Sequence, residues 1–504
     1  MNITILTVES LQLIFDLNEK QFLALKIFLQ DQISNEQILF YLGGDGGTGK
    51  TRVILAINFY FWFNNEYKNL KIAAYTGTAA NLIYGNTIHG TFKFQINQNE
   101  KNYFNITLND TIDWETVTHL IIDEISMVSC NLLTEIDRSL RELKRKNIIY
   151  GGLHILFSGD FFQLPPVASV PLYVNYDLSM NNEIILNKTQ DSFYGRWLWL
   201  QLNRVLFLDI QMRQKDDTQY ADFLKRVKLG ECTNNDIAKI KTKIITNTTQ
   251  IDKPIPTIVS NNKLKLNIIS KTITTIEQNL NIKIKNHQAE DKIKIKNIYE
   301  KPPKQIEKII KQLDDSKTGY LVSNLPIHPS ITYYLTNNVS VILGLTNGIT
   351  VNILKTILDI NTKQILCILA KPINLSVEFN FSELPNNVFP IFPLVKYLKI
   401  NFPTKSINVK RSQFPLIPNY SSTCYKVQGK TLEKMCLDLS TIDCKTIECS
   451  YIYVSLSRLT SWDGLYILRD FDESIFFKKP SPDLLKEIIR LKEIEKITLK
   501  KFFQ

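Results

Sequence analysis

Residues 43–51 have the composition and spacing of a phosphate-binding loop. Their sequence, GGDGGTGKT, satisfies the pattern G-x-x-x-x-G-K-[ST]. Consecutive backbone N–H groups in such a loop turn toward phosphate oxygens, and the following helix N-terminus adds partial positive charge. We therefore expect a nucleoside triphosphate here, with Lys50 reaching the β- and γ-phosphates and Thr51 ligating Mg²⁺. The loop residues expected to contact the nucleotide are Gly44, Asp45, Gly46, Gly47, Thr48, Gly49, Lys50 and Thr51.

Two acidic residues and a glutamine follow apolar runs farther along the chain. Asp123 and Glu124 come directly after the run 119–122, and Gln163 follows a later run. Mg²⁺ and an attacking water need carboxylates at such a strand tip. We expect Asp123 on the metal side, Glu124 as the base that orients the water, and Gln163 as a sensor of the γ-phosphate. Asp-Glu pairs are common by chance, so this interpretation depends on the preceding strand and on Lys50.

Apolar strands must alternate with helices to bring these side chains together. Residues 37–42 form an apolar run of buried-strand type before the loop, and residues 52–63 form a run of helical length after it. Further strand-like runs recur along the first two hundred residues. This alternation predicts an α/β fold with a parallel sheet wrapped by helices and ligands at the carboxyl ends of the strands.

Composition and charge narrow the class of protein. The 504 residues suggest two to four domains, and 44% hydrophobic with 22% charged residues is typical of a soluble globular chain. No apolar run approaches the ~18 residues of a membrane span, and the N-terminus lacks signal and transit features. Seven cysteines without a C-x-x-C pair predict a reducing compartment and no zinc site.

The net charge of +11 favours a polyanionic partner. Residues 262–317 hold 13 lysines against 7 acidic residues, a local excess of 13 − 7 = 6. For this charge run alone, a solvated face is the stronger interpretation. Within it, residues 282–286 and 293–297 alternate isoleucine with lysine and predict a half-exposed hairpin.

The rest of the chain predicts a second unit and a small β module. The expected elements are a strand at 205–210 that opens the second unit, three module strands at 339–343, 350–356 and 363–369, and a final amphipathic helix with Leu485, Ile488 and Ile489 on its apolar face.

Seven blocks in this order and spacing resemble the superfamily-one DNA helicases of the PIF (petite integration frequency) type, relatives of the RecD-like helicases. The resemblance covers residues 18–468. The most specific blocks are GTGKT at 47–51, DEISM at 123–127, GDFFQLPPV at 159–167 and YVSLSR at 453–458.

The resemblance implies two RecA-like P-loop NTPase domains with a small SH3-like β domain inserted in the second. The implied limits are 1–195 for the first RecA-like domain, 196–331 with 403–475 for the second, 332–402 for the inserted domain and 476–504 for a C-terminal helix.

The same resemblance implies an ATP-dependent, Mg²⁺-requiring motor that travels 5′-to-3′ on single-stranded DNA and unwinds forked duplex. Arg213 and Arg458 would reach the ATP cleft from the second domain as arginine fingers, Gln21 would contact adenine, and Gly429 would line the nucleotide site. The implied DNA contacts are Thr76, Thr87, His89, Thr423, Tyr425 and Gln428.

Two positions depart from the family pattern. Tyr425 stands where the family usually has His before Lys-x-Gln-Gly, and Lys430 stands where leucine is usual. A tyrosine still hydrogen-bonds or stacks on a base, so contact with DNA is expected to persist.

The implied partner is DNA and not a membrane, and the implied motor is a monomer. Its expected compartment is the nucleus, with the mitochondrion as the alternative, in DNA repair, recombination, telomere maintenance or mobile-element replication. Two other functions stay open. One is a nucleic-acid-binding remnant that no longer hydrolyses ATP, although every hydrolytic position holds a competent residue type. The other is an RNA-directed translocase.

Overall fold

The computed structural model describes residues 6–30, 36–94, 107–175, 190–246, 255–295, 298–313, 315–340, 343–373, 378–381, 383–401, 406–440 and 449–502. The helices are α1 Val8–Ile14, α2 Glu19–Gln30, α3 Lys50–Phe63, α4 Gly77–Leu82, α5 Ile88–Thr91, α6 Leu108–Glu115, α7 Cys130–Lys144, α8 Gln190–Leu200, α9 Thr218–Leu229, α10 Asn234–Lys241, α11 Asn262–Leu280, α12 Lys304–Gln312, α13 Cys424–Val427, α14 Cys449–Leu456 and α15 Pro482–Phe502. In these ranges no helix is both long and apolar enough to cross a bilayer.

The strands are β1 Leu39–Gly44, β2 Leu70–Ala74, β3 Asn86–Thr87, β4 His119–Asp123, β5 His154–Gly159, β6 Arg204–Leu208, β7 Thr257–Val259, β8 Lys285–Gln288, β9 Glu290–Ile295, β10 Ile298–Glu300, β11 Asn324–Ile327, β12 Thr332–Leu335, β13 Thr350–Leu358, β14 Ile365–Pro372, β15 Phe389–Ile391, β16 Leu394–Asn401, β17 Ser406–Gln413, β18 Leu416–Pro418, β19 Ser421–Thr423, β20 Met435–Leu437 and β21 Leu465–Ile467.

Six parallel strands form the first sheet, in the order β3-β2-β4-β5-β1-β6. The inner strands β1 and β4 are buried along nearly their whole length, as expected for a sheet covered by helices on both faces. Separate apolar cores fill the two faces. The predicted parallel α/β arrangement is confirmed, and the phosphate-binding loop joins β1 to α3 as expected.

The strand predicted to open the second unit belongs to the first sheet instead. β6 pairs in parallel with β1 and forms one edge of that sheet. The predicted boundary after residue 195 is therefore wrong for this strand. The apolar sequence of β6 does not indicate which strand it pairs with. Only the three-dimensional structure shows which of the two sheets it joins.

Helix α15 covers the exposed edge of β6. The Val205 N–H donates to Thr498 Oγ1 at 3.1 Å, and the Phe207 N–H donates to Glu495 Oε1 at 2.7 Å. Side chains of the helix thus satisfy backbone donors that an edge strand would leave to solvent or to another chain.

The buried face of α15 agrees with the predicted one only at Ile488, which packs against the first core. Leu485 and Ile489 are 37% and 62% exposed, whereas Leu484 and Leu491 are buried. Glu487 is also buried, because its carboxylate accepts hydrogen bonds from Arg196, Arg490 and Trp199. Because a buried glutamate lies on the inner face of α15, that face is not the one that the pattern of apolar residues predicts.

Four parallel strands form a second sheet, in the order β19-β7-β20-β21. Its strands come from two segments more than 150 residues apart, and a core that includes α9, α10 and α14 packs against it. A second α/β unit is therefore present, as predicted.

Antiparallel strands lie between the segments of the second unit. One sheet has the order β15-β14-β13-β12-β18, and β13 and β14 confirm two of the three predicted module strands. The third, at 339–343, is wrong for its described part, because β12 takes the position beside β13; residues 341–342 lie outside the described residues. Another sheet has the order β10-β9-β17-β16, so the predicted inserted unit 332–402 contributes to two sheets.

The predicted hairpin between 282–286 and 293–297 does not form among the described residues, which leave out 296–297. β8 pairs with β11, whereas β9 pairs with β10 and β17. The alternation of isoleucine and lysine correctly indicated a strand at 293–295, whereas β8 begins only at Lys285, and the alternation holds no information on strand partners. The partners come from segments that the pattern does not include.

Candidate nucleotide site and nucleic-acid surface

The loops that follow β1, β4, β5 and β6 meet residues of the second unit in a cleft of about 530 Å³. Parallel strands place their carboxyl ends at one sheet edge, which explains why these loops converge. The lining includes Gly46, Gly47, Gly49, Lys50, Thr51, Asp123, Glu124, Gln163, Arg213, Gly429 and Arg458.

The phosphate-binding loop has the backbone shape that its glycines permit. Gly47 and Gly49 have φ of 97° and 90°, which disfavour any side chain. The Lys50 ammonium donates to the carbonyl oxygens of Gly44 at 2.6 Å and Asp45 at 3.0 Å, so it lies over the loop. Thr48 Oγ1 donates to the Asp45 carbonyl at 2.9 Å and closes the turn. The loop is therefore preformed around the lysine.

Gln21 braces this loop from beneath. Its side chain is 1% exposed, its Nε2 donates to the Thr48 carbonyl at 3.1 Å, and its Oε1 accepts the Asn18 N–H at 3.1 Å. A Cβ on Gly49 would clash with that Nε2. Both ends of the amide are thus engaged within the protein, and adenine contact by Gln21 stays a prediction.

Asp123 and Glu124 lie at the end of β4, as predicted, with Asp123 buried and Glu124 half-buried. Burial raises the pKa of Asp123, and burial together with the Asp123 charge raises the pKa of Glu124. Glu124 has a left-handed backbone with φ of 57°, which is uncommon for a residue with a side chain. The chain turns sharply here and directs the two carboxyl groups into the cleft.

Three predicted residues converge on Gly46. A Cβ at Gly46 would lie 3.0 Å from Arg458 Nη2, 3.1 Å from Gln163 Nε2 and 3.6 Å from Arg213 Nη1. Gln163 is buried and its Oε1 has no hydrogen-bond partner. Two guanidinium groups and an amide therefore meet beside a residue of the phosphate-binding loop that has no side chain.

Burial lowers the pKa of both arginines. That of Arg213 falls to about 9 because of burial and then the nearby Arg458 charge. The pKa of Arg458 is lowered by burial, while the Glu124 charge opposes the shift. Their hydrogen bonds go to neutral oxygens: Arg213 Nη1 to the Ser457 carbonyl at 2.7 Å and Arg458 Nε to the Val454 carbonyl at 2.9 Å. Neither guanidinium forms an ion pair with a carboxylate among the described residues.

Arg213 lies in the segment that joins β6 of the first sheet to α9 of the second core, so its assignment to the second unit stays a prediction. It follows β6 of the first sheet by a few residues, and this segment is bound to the phosphate-binding loop itself. The Met212 N–H donates to the Gly47 carbonyl at 2.9 Å, and Gln211 Nε2 donates to the Gly46 carbonyl at 3.0 Å. Arg458, after α14, reaches the cleft from the second unit as predicted.

Gln428 lies at the carboxylates and not on an open surface. It is 2% exposed, and its Nε2 donates to Glu124 Oε2 at 2.9 Å. Gly429 is adjacent, with an added Cβ 3.8 Å from Glu124 Oε1. The predicted DNA contact of Gln428 is therefore not supported by this geometry, because its amide serves the nucleotide cleft.

The other predicted DNA residues lie at helix starts or on the surface. Thr76 and Thr87 cap α4 and α5, accepting the N–H groups of Ala79 and Gly90. Thr423 precedes α13 without a side-chain cap bond. His89 is half-buried, and burial lowers its pKa.

Tyr425 is the most exposed of this set, at 41%. Its position on α13 puts it three residues before Gln428, which caps the end of this helix and contacts Glu124. Contact with DNA stays a prediction for Tyr425 and for the residues at the helix starts.

Lys430 joins three parts of the molecule, which the sequence did not predict. Its ammonium donates to the Gly348 carbonyl at 2.9 Å and lies 4.0 Å from the centre of the Tyr334 ring. A Cβ on Gly348 would lie 2.6 Å from Thr78 Cγ2, so α4 of the first unit meets the same loop. Burial and then the charge of Lys426 lower the pKa of Lys430 to about 8. The departure from the family's leucine was the available signal.

Lys228 and Tyr453 are two further residues that sequence reasoning missed. Lys228 Nζ pairs with Asp45 Oδ1 at 2.6 Å, and Tyr453 OH donates to Asp160 Oδ2 at 3.1 Å. Both link the second core to the loops of the first sheet. Their partners lie 183 and 293 residues away, so no local pattern could reveal them.

The chemistry of the cleft fits a nucleoside triphosphate with Mg²⁺. The glycines leave room that a Cβ would fill, a lysine and two arginines supply positive charge, and Gln163 has an unpaired buried oxygen. The Thr51 hydroxyl and the Asp123 carboxylate are oxygen ligands of the kind Mg²⁺ prefers.

Comparison with known proteins finds relatives along most of the chain. The family model of PIF1-like helicases matches residues 16–238. The ATP-dependent DNA helicase RRM3 of Saccharomyces cerevisiae is 22% identical over 511 residues, covering 90% of this chain and 66% of RRM3. The chain thus spans just under two thirds of that relative's length.

Solved structures share the fold. The Pif1 helicase from Candida albicans aligns with a TM-score of 0.67 at 20% identity, covering 94% of this chain and 99% of that one. The Bacteroides Pif1 in complex with ADP-AlF3 and single-stranded DNA aligns with a TM-score of 0.67 at 20% identity, covering 95% and 97%. The predicted architecture of two RecA-like domains is confirmed, and the SH3-like identity of the inserted module stays a prediction.

Replacing Gln21 with alanine tests whether its side chain stabilises the phosphate-binding loop or contacts the adenine. Because its amide holds the Thr48 carbonyl, Gln21→Ala is expected to weaken ATP and GTP binding alike, by about fivefold for one lost hydrogen bond of ~1 kcal/mol. Fluorescent analogues of both nucleotides measure this, with Gln278→Ala, an exposed helix substitution, as the control. Loss of ATP affinity alone would restore adenine recognition as the role of Gln21.

Proposed function

We propose that this chain is an ATP-dependent DNA helicase, because the PIF1-like helicase model matches residues 16–238, the helicase RRM3 aligns with 90% of the chain, and the cleft has the chemistry for ATP. It hydrolyses ATP with Mg²⁺, moves 5′-to-3′ along single-stranded DNA and separates the strands of a forked duplex. The observation that carries the proposal is the convergence of Gln163, Arg213 and Arg458 on Gly46 of a preformed phosphate-binding loop.

Each residue of the cleft has a role in this proposal. Lys50 and the loop N–H groups hold the β- and γ-phosphates, while Thr51 and Asp123 hold Mg²⁺, which supplies charge neutralisation when bound. Glu124 orients the attacking water and accepts its proton. Arg213 and Arg458 stabilise the charge that develops on the transferring phosphoryl group, and Gln163 senses the γ-phosphate.

Single-stranded DNA lies, in this proposal, in a groove that crosses both units. Thr76, Thr87 and His89 hold the strand on the first unit, and Thr423 and Tyr425 hold it on the second. The meeting of Lys430, Gly348 and Thr78 supports a continuous groove, because it brings both units and the β module together. The module helps hold the strand while the cleft closes on ATP and reopens.

The relationship also guides the wider proposal. The two RecA-like domains keep the limits inferred from the sequence except that β6 joins the first. We propose a monomeric motor that acts in the nucleus, with the mitochondrion as the alternative, in repair, recombination, telomere maintenance or mobile-element replication. A silent remnant is disfavoured because every hydrolytic position is both present and assembled in the cleft.

Tailed forks test direction and activity together. With ATP and Mg²⁺, unwinding is expected on a fork with only a 5′ single-stranded tail and not on one with only a 3′ tail, because the motor must load on the strand it follows. Lys50→Ala is the matched control and removes both unwinding and DNA-stimulated ATP hydrolysis. Preference for the 3′ tail, or stimulation by RNA but not DNA, would contradict the proposal.

The pH profile of ATP hydrolysis tests the contact between Gln428 and Glu124. The base must be ionised, so activity falls as pH drops through its pKa, which burial already raises. Gln428→Leu removes a donor that favours the carboxylate, so the pKa rises further and the acid limb moves to higher pH. The measurement is ATP turnover at saturating single-stranded DNA from pH ~5 to ~8.

Gln278→Leu, an exposed glutamine on α11, provides the control and keeps the parent profile. An acid limb that stays in place in Gln428→Leu would show that the amide does not act on Glu124.

A further inference from the structure

The four-stranded sheet β10-β9-β17-β16 has a solvent-facing side that the proposed motor does not use. Its other side packs on α12 through Ile293, Ile310 and Val409, all buried. Because side chains alternate across a strand, the residues between these buried ones face outward. We call this outward side the platform, and its charged and aromatic members are Glu290, Lys292, Lys294, Tyr299, Tyr397, Lys399 and Lys410.

Like charges stand directly opposite each other on the platform. Lys410 pairs across the strands with Lys292, although opposed like charges destabilise a sheet. Four lysines face one glutamate, and none of the four forms an ion pair with a carboxylate in the described part of the chain. The single glutamate does not balance the four positive charges, so a polyanion would stabilise this face.

Two tyrosines accompany the lysines. Tyr397 is 66% exposed, and the ring centres of Tyr299 and Tyr397 lie 5.8 Å apart although two strands separate β10 from β16. The Lys410 ammonium lies 5.9 Å from the centre of the Tyr397 ring. An exposed ring beside cations offers a flat apolar surface and phosphate contacts at one place.

From this juxtaposition we propose that the platform is a second binding surface for single-stranded nucleic acid, separate from the motor groove, with Tyr397 stacking on an unpaired base and the lysines contacting phosphates. A duplex keeps its base faces inside the stack, so it leaves the tyrosines unused. The proposal also gives the lysine-rich span 262–317 a role, because β9 and β10 come from it. It does not require that the chain hydrolyse ATP.

Photocrosslinking locates the contact directly. The full chain is irradiated, without nucleotide, on oligothymidine in which 5-iodouracil replaces single thymines, and adducts are mapped by mass spectrometry. Adducts on Tyr397 or Tyr299 are the expected result. Adducts confined to the motor groove, with none in β9, β10, β16 or β17, would overturn the proposal.

Substitutions then measure the contributions of base stacking and of phosphate contact separately. Tyr397→Ala is expected to weaken binding of an oligothymidine long enough to reach both sites by about fivefold or more. Lys292→Gln with Lys410→Gln should reduce the slope of log affinity against log salt by about 0.7 per phosphate lost. Matched controls are Tyr67→Ala, 54% exposed on the first unit, and Lys486→Gln on α15.

Equal affinity of Tyr397→Ala and Tyr67→Ala would overturn the stacking surface. So would lysine variants that weaken heparin and oligothymidine alike while Tyr397→Ala has no effect, since that pattern marks a non-specific patch. Neither readout uses ATP, so failure of the motor in the fork assay leaves these results interpretable.

Discussion

Buried charge in the cleft is the constraint on which the rest of the structure depends. Arg458 is buried and Arg213 half-buried beside Gly46, and the same burial that lowers their pKa values raises those of Asp123 and Glu124. Withdrawing charges from water is unfavourable unless an opposite charge is near. A triphosphate ending at Gly46 would supply that charge to both guanidinium groups. A nucleotide can favour the closed cleft over the open one only if it makes contacts that exist in the closed cleft alone. Arg458, which the second unit provides, can make such a contact.

The proposed DNA surface and the carboxylates are linked by a short helix. Tyr425 stands exposed at one end of α13, and Gln428, just beyond its other end, donates to Glu124. Lys430 then contacts the β module at Gly348. In the proposed function, a DNA strand that binds at Tyr425 and shifts this helix would change the hydrogen bond from Gln428 to Glu124. DNA binding would thus affect the hydrolytic base through a few residues. The ion pair between Lys228 and Asp45 also links the second unit to the phosphate-binding loop.

The sequence predicted local features well and long-range partners poorly. The loop at 43–51, the strand before Asp123 and the parallel alternation depend on spacing within a dozen residues, and the structure confirms these elements. The assignment of β6 and the hairpin at 282–297 were wrong, because each depends on which distant strand a segment joins. The face of α15 was right only at Ile488, for a different reason: a buried Glu487 with two arginines occupies an inner position that hydrophobicity alone would assign to an apolar residue.

Nucleotide binding and DNA-stimulated hydrolysis, measured together in Arg458→Ala, test most directly whether the second unit completes the nucleotide site. Loss of an arginine that acts on the transferring phosphoryl group lowers turnover by about 10³ to 10⁵. ATP affinity should change far less, because the loop and Lys50 remain. Arg469→Ala, which removes an arginine paired with Asp438 on the same unit, is the matched control and should keep turnover. Near-normal stimulated hydrolysis in Arg458→Ala would contradict a nucleotide site shared between the two units.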